Sequence, residues 1–232
     1  MNTGEDTAVL PAREPASARV QEIVGALEEQ IVLGWLMPRE RLLEDRLTAQ
    51  FACKKHVVRE VLSELERMGL VQRVPNKGAA VVMLEPDAVR QIYSVREALE
   101  TLAAEQIRLP ADRLLLEALQ AIQADHTGAV AAHDPRSAFR ANLAFHDRLF
   151  CACENPYLSS LIRSAAQKVH GARFYSATSR THLLRARDEH EEMIRALERG
   201  DREELVTLCR NHLAPSREAY LRAVETRFRK GA

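Results

Sequence analysis

The sequence predicts a mainly α chain in two parts. The first is an N-terminal winged helix-turn-helix with a small β-hairpin wing; the second is an all-α helical bundle. Three observations carry that expectation. Between Glu44 and Val82 the chain reads as a short helix, a tight turn, a longer helix with a basic first turn, and two β runs joined by a basic tip. After Glu85-Pro86-Asp87 no strand pattern returns, Gly and Pro become sparse, and apolar residues keep helical spacing almost to the end. A chain of 232 residues can also supply cores for two small units.

Taken in order, residues 1–16 are polar and interrupted by proline, and are expected to form an arm without regular structure. Residues 17–84 form the winged unit. Ser17 can cap a helix whose Val20, Ile23, Val24, Leu27 and Ile31 share one face, and Gly34 ends it. Leu47 and Phe51 point the second helix inward. The third, 54–68, buries Val58, Val61, Leu62 and Leu65 and stops at Gly69. Strands at 71–74 and 79–83 meet through Pro75-Asn76-Lys77-Gly78, where Asn and Gly permit the positive φ angles of a tight hairpin. Residues 85–232 then form helices at about 86–108, 112–132, 135–153, 157–177, 181–199 and 202–229. Gly200-Asp201 is a short turn that makes the last two antiparallel neighbours.

Composition narrows the function classes. Formal net charge is zero, so any attraction to nucleic acid has to come from a local patch. No apolar window approaches the ~18 residues of a membrane span, and the first residues lack the charged-then-apolar order of a signal peptide. Cys53, Cys151, Cys153 and Cys209 have no framework spacing and read as reduced thiols of a cytoplasmic protein, with Cys151-x-Cys153 a weak metal signal.

The third helix supplies the local patch. Lys54, Lys55, His56 and Arg59 crowd its first two turns, opposite the apolar stripe, where a recognition helix meets base edges and phosphates. Arg59 can fork onto a guanine, with Glu60 beside it as a brace. The hairpin tip Asn76, Lys77 and Gly78 suits the neighbouring backbone, and Arg46 and Arg73 add cations. A partner of double-stranded operator DNA follows. The run Leu43-Glu44, Leu47, Phe51, Val58-Arg59-Glu60, Leu62, Leu65, Gly69-Leu70-Val71 and Pro75-Asn76-Lys77-Gly78-Ala79 resembles GntR-type transcriptional regulators. The helical remainder is similar to their FadR-like branch with an FCD effector domain. Lys54-Lys55-His56-Val57 stands where that family usually has Ser-Arg-Thr-Pro, and Arg39 stands where Gly is common.

In the helical part, Asn142, His146, His190 and His212 occupy positions where apolar side chains are expected. Asn142 and His146 lie four apart on one face. His190 and His212 each lie ~15 Å from the Gly200 turn, at matched heights. Hydrogen-bonded core histidines and a divalent-metal site both fit that pattern. The resemblance implies the metal: zinc first, with nickel, manganese or iron as alternatives, and with Asn142 where the family commonly has Asp. His170 lies off its helix's main stripe, and Cys209 is expected to pack.

Arg96 flanks a stripe of Ile92, Val95, Leu99 and Leu102, and an inward arginine needs an anion. Glu97 or Glu100 can provide one. The resemblance implies instead that Arg96 holds the carboxylate of a small organic acid effector. The resulting expectation is a homodimeric repressor under effector control, without enzymatic activity. Two rivals remain: a metal-dependent hydrolase with a three-histidine site, and a constitutive DNA binder with a structural metal. Glu189, Glu191 and Glu192 flank His190, but a helix turns adjacent residues off the metal face.

Overall fold

The computed structural model describes residues 17–74 and 78–230. The 1–16 arm and the hairpin residues Asn76 and Lys77 lie outside the described residues.

Helix α1 (Ala18–Val32) starts at Ser17, whose hydroxyl accepts from the Val20 amide. Val20, Ile23 and Leu27 pack on Val58, Val61, Leu62 and Leu65 of α3 (Lys55–Arg67), with Leu47 of α2 (Glu44–Gln50) closing the same core. The spacing of these apolar residues is helical, so burying one face of each helix fixes their mutual packing. The hairpin strands β2 (Val71–Arg73) and β3 (Ala79–Val81) are joined by β1 (Arg41–Leu42), which the sequence pattern did not mark as a strand. The antiparallel order is β1-β3-β2, with Leu42 opposite Ala79 and Val71 opposite Val81. Gly78 has φ +76°, and a Cβ there would collide with the Leu42 carbonyl. Its place in the sequence is therefore set by backbone packing of the wing. Arg39 also has positive φ, at 71°, and its amide donates to Val81 O at 2.8 Å. That conformation suits glycine better than arginine.

The helical part comprises α4 (Pro86–Gln106), α5 (Arg113–Ala131), α6 (Pro135–Cys151), α7 (Pro156–Lys168), α8 (Phe174–Ala177), α9 (Arg180–Arg199), α10 (Arg202–His212) and α11 (Ala214–Lys230). Its central core joins Phe145 and Leu149 of α6, Leu119 of α5, Met193 and Leu197 of α9, and Leu205 of α10. Gly200, φ 72°, caps α9 and lets α10 return beside it.

Three expectations need correction. The helix expected at 157–177 breaks after Lys168 into a 3-10 turn (His170–Ala172) and α8. Gly171 weakens the helix there, and the turn packs against α1, with Gly171 close to Ile31. The helix expected at 202–229 breaks at Leu213, because Pro215 cannot donate the amide that would continue α10. In α4, Val95 and Leu102 are 53% and 42% exposed, whereas Val89, Tyr93, Arg96 and Glu100 face inward. Burying an ion pair with its own partner satisfied the interior, so hydropathy alone misassigned the face.

Helix α1 also ties the two parts together. Glu29, buried, accepts from Arg136 Nε at 2.7 Å and from Arg140 Nε, both on α6. Its neighbour Glu28 meets Nδ1 of the buried His170.

Candidate functional site

The basic face of α3 is present and open. Lys54, Lys55, His56, Arg59 and Arg46 are all exposed. Lys54 occupies the N-cap of α3 without a side-chain cap bond, so the first-turn amides point outward, where an anion is favoured. Lys55 pairs with Asp45 at 2.7 Å, and Arg59 Nε donates to Glu44 Oε2 at 3.0 Å. The expected brace Glu60 is replaced by Glu44, because the packing of α2 on α3 brings Glu44 over the second turn. Arg73 Nη2 donates to the Arg59 carbonyl at 2.9 Å and thus braces the recognition helix from the wing. Exposed pairs of this kind are weak and screened by solvent, so a phosphate can replace each carboxylate.

The second constellation lies in the bundle. His146 of α6, His190 of α9 and His212 of α10 converge. Nε2 of His146 is 3.1 Å from Nε2 of His212 and 3.4 Å from Nε2 of His190. Their ligand atoms all lie within 4.8 Å of one another. Behind them, Glu189 Oε2 is 2.6 Å from Nδ1 of His212, and Gln123 Oε1 is 3.3 Å from Nδ1 of His190. The Gln123 amide nitrogen donates to the Arg187 carbonyl, which fixes its oxygen toward His190. Both Nδ1 atoms therefore carry the proton, and both Nε2 atoms present bare lone pairs to one point.

Neutral rings facing each other in this way leave lone pairs that one proton on His146 cannot satisfy. A divalent cation satisfies all three. At Zn–N distances of 2.0–2.1 Å, tetrahedral geometry separates ligand nitrogens by about 3.3 Å, close to the 3.1 and 3.4 Å between His146 and its two neighbours. Burial above all, and then repulsion from His212 whenever that ring is protonated, pushes His146 and His190 well below the usual histidine range, so both stay neutral and ready to ligate. Burial would raise the Glu189 carboxyl, but hydrogen bonds from His212 and Arg185 outweigh it and hold the group ionised.

Asn142, one turn before His146, lines the same cavity, of about 90 Å³, together with Arg96, Arg173, Glu189, Ser176 and Ser216. Arg96 is engaged on its own helix. Its Nε and Nη2 lie 2.9 and 2.8 Å from Glu100 Oε1, both residues being buried. The anion that Arg96 needs is thus built in. His170 belongs elsewhere, on Glu28, and buried Cys209 packs in the core, with burial raising its thiol pKa.

Residues 91–215 match the family described as FCD domain, and residues 19–81 match the bacterial regulatory proteins of the gntR family. The chain belongs to the GntR-type transcriptional regulators with an FCD domain. Within the GntR–FCD chain, the basic α3 residues fall in the gntR match and the three histidines in the FCD match. It is 26% identical over 182 residues to the HTH-type transcriptional regulator YdhC of Bacillus subtilis, covering 76% of this chain and 80% of that one. It is 27% identical over 148 residues to the Nta operon transcriptional regulator of Aminobacter aminovorans, covering 62% and 68%. The fold is shared with Escherichia coli McbR/YncC, at TM-score 0.74 and 20% identity over 91% of this chain and 99% of that one. A GntR regulator from Rhodococcus sp. RHA1 gives TM-score 0.74 and 21% identity over 89% and 99%.

Sequence reasoning missed Glu189, Gln123, His126 and Arg173. Glu189 was set aside as turned away by its helix, yet a glutamate is long enough to reach past His190 to the back of His212. Gln123 and the fully buried His126 interrupt the apolar face of α5 that carries Leu115 and Leu119. That is the same signal that marked His146, His190 and His212. Arg173 had none, because the break that turns it inward was not foreseen.

Proposed function

We propose that this GntR–FCD protein is a homodimeric, metabolite-responsive regulator, acting as a repressor, whose hold on operator DNA is set by a small organic acid at a metal site in the helical domain. Residues 17–84 serve as the reading head, and 85–232 as the effector and dimerisation domain. The observation that carries this reading is the convergence of three imidazoles, with the outer nitrogens of His212 and His190 held by Glu189 and Gln123. His146, His190 and His212 would hold zinc, or nickel, manganese or iron, with Asn142 beside them. When bound, the metal supplies open positions that attract a carboxylate.

Helix α6 supports the link to DNA. It carries Asn142 and His146 on one side, and its Arg136 and Arg140 grip Glu29 of α1 in the head. A shift of α6 therefore moves the head. Dimeric readers engage half-sites about 34 Å apart, so a small rotation spoils simultaneous contact. The exposed Val95 and Leu102 on α4, with Tyr157 and Leu161 on the adjoining α7, favour burial against a second copy. The cavity's carboxylate Glu189 is occupied by His212 and Arg185 rather than poised over substrate, which favours a sensor over a hydrolase.

The test is fluorescence anisotropy on an operator fragment at fixed salt, with metal-loaded protein titrated by a panel of short carboxylates. Release of DNA by an acid that binds supports the reading. An acid that binds in the cavity without altering DNA affinity rejects it.

A further inference from the structure

Arg173 is the unsolved charge of the effector cavity. It follows the 3-10 turn, is only 9% exposed, and its guanidinium makes no hydrogen bond or ion pair among the described residues. Each nearby carboxylate is committed elsewhere: Glu100 to Arg96 and Glu28 to His170. Burial, and then the like charge of Arg96, lowers the Arg173 pKa to about 10, still far above neutrality. A buried cation without an anion is costly, and this one lines the same cavity as His146, His212 and Asn142.

The remaining charges strengthen the case. The three histidines are neutral ligands and Asn142 is an uncharged amide, so a bound divalent metal would keep its full +2. Arg173 adds +1. A monocarboxylate would neutralise one of these three charges and leave the guanidinium bare. We propose that the effector is a dicarboxylate, with one carboxylate at the metal side and the second forked onto Arg173. This inference rests on the carboxylate-sensing reading above and names the class of acid. The single planar fork of Arg173 pairs with two oxygens, which is the whole complement of a carboxylate and leaves a phosphate's third oxygen without a charged partner. The nearby Ser176 and Ser216 hydroxyls are already bonded to each other at 3.1 Å.

The experiment is calorimetry on the full-length, zinc-loaded protein with succinate and butyrate, which share a chain length and differ in the second carboxylate. Malonate with propionate, and glutarate with valerate, extend the ladder. In at least one pair the diacid is expected to bind roughly 10- to 100-fold more tightly. Arg173→Gln should erase that preference while leaving the monoacid unchanged, and Arg173→Lys should retain part of it. Because Arg173→Gln removes an uncompensated buried charge, the metal-free variant should melt no lower than the wild type. A lower melting temperature would assign Arg173 a structural role and overturn the proposal. Equal binding of diacid and monoacid in every pair would overturn it while sparing the carboxylate reading. A diacid preference that survives metal removal would place the anion outside the triad cavity and overturn it too. Binding of no acid at all would overturn both readings.

Discussion

Glu189 is the residue through which the proposed metal centre can be tested without altering any of the three histidines. Its Oε2 lies 2.6 Å from Nδ1 of His212 and fixes the tautomer that bares Nε2. Partners of this kind alter metal affinity by about 10- to 100-fold, or about 1.4–2.7 kcal/mol. Glu189→Ala should fall in the upper part of that range, because the bond is short and charge-assisted. Gln123→Leu removes a longer, neutral contact of 3.3 Å to His190. A neutral bond is roughly half as strong, so about three- to tenfold is expected there. The assay is a zinc titration against a chelator of known affinity, with DNA binding of the metal-free protein as the control for folding. Wild-type zinc affinity in Glu189→Ala, or a larger loss in Gln123→Leu, would refute the assignment of both residues.

Five further outcomes are expected. Arg59→Ala should cost ~1–3 kcal/mol on the cognate operator and much less on random duplex. Lys77→Ala should weaken both alike and lower the salt slope by about one, as read by anisotropy across a salt series. Gly78→Ala should destabilise the protein by more than about 1 kcal/mol in chemical denaturation, since the position has positive φ and its Cβ meets the Leu42 carbonyl. Glu29→Ala should increase hydrogen exchange in α1 and the start of α6, and weaken the effector's influence on DNA, while effector affinity itself stays within about twofold, because Arg136 and Arg140 are half exposed and the lost pairs are weak. Unchanged exchange would remove α6 from the coupling route. The metal-free protein should lose stability in acid. Burial, then the His212 charge, lowers the His126 pKa to about 4, so its contribution is complete above about pH 6.5 and disappears toward pH 4. That loss is on the order of 3 kcal/mol, and His126→Phe should flatten the denaturation profile across the same window.

By itself the sequence determined the two-part architecture, the basic third helix and the three histidines that converge. Each is written in local terms: the spacing of Val58, Val61, Leu62 and Leu65, the cations at the start of α3, and histidines interrupting apolar stripes at computable heights. Helical rise is constant, so residues equidistant from the Gly200 turn had to meet across antiparallel helices. Tertiary structure alone decided the rest. The partner of Arg59, the hold of α1 on α6, the breaks at Gly171 and Pro215, and the inward face of α4 all depend on elements distant in the chain. Long side chains such as Glu189 and Arg173 reach across helix faces, so their roles follow from which helices lie alongside them. Periodicity records which face of a helix is buried, whereas charge pairing depends on what that face meets.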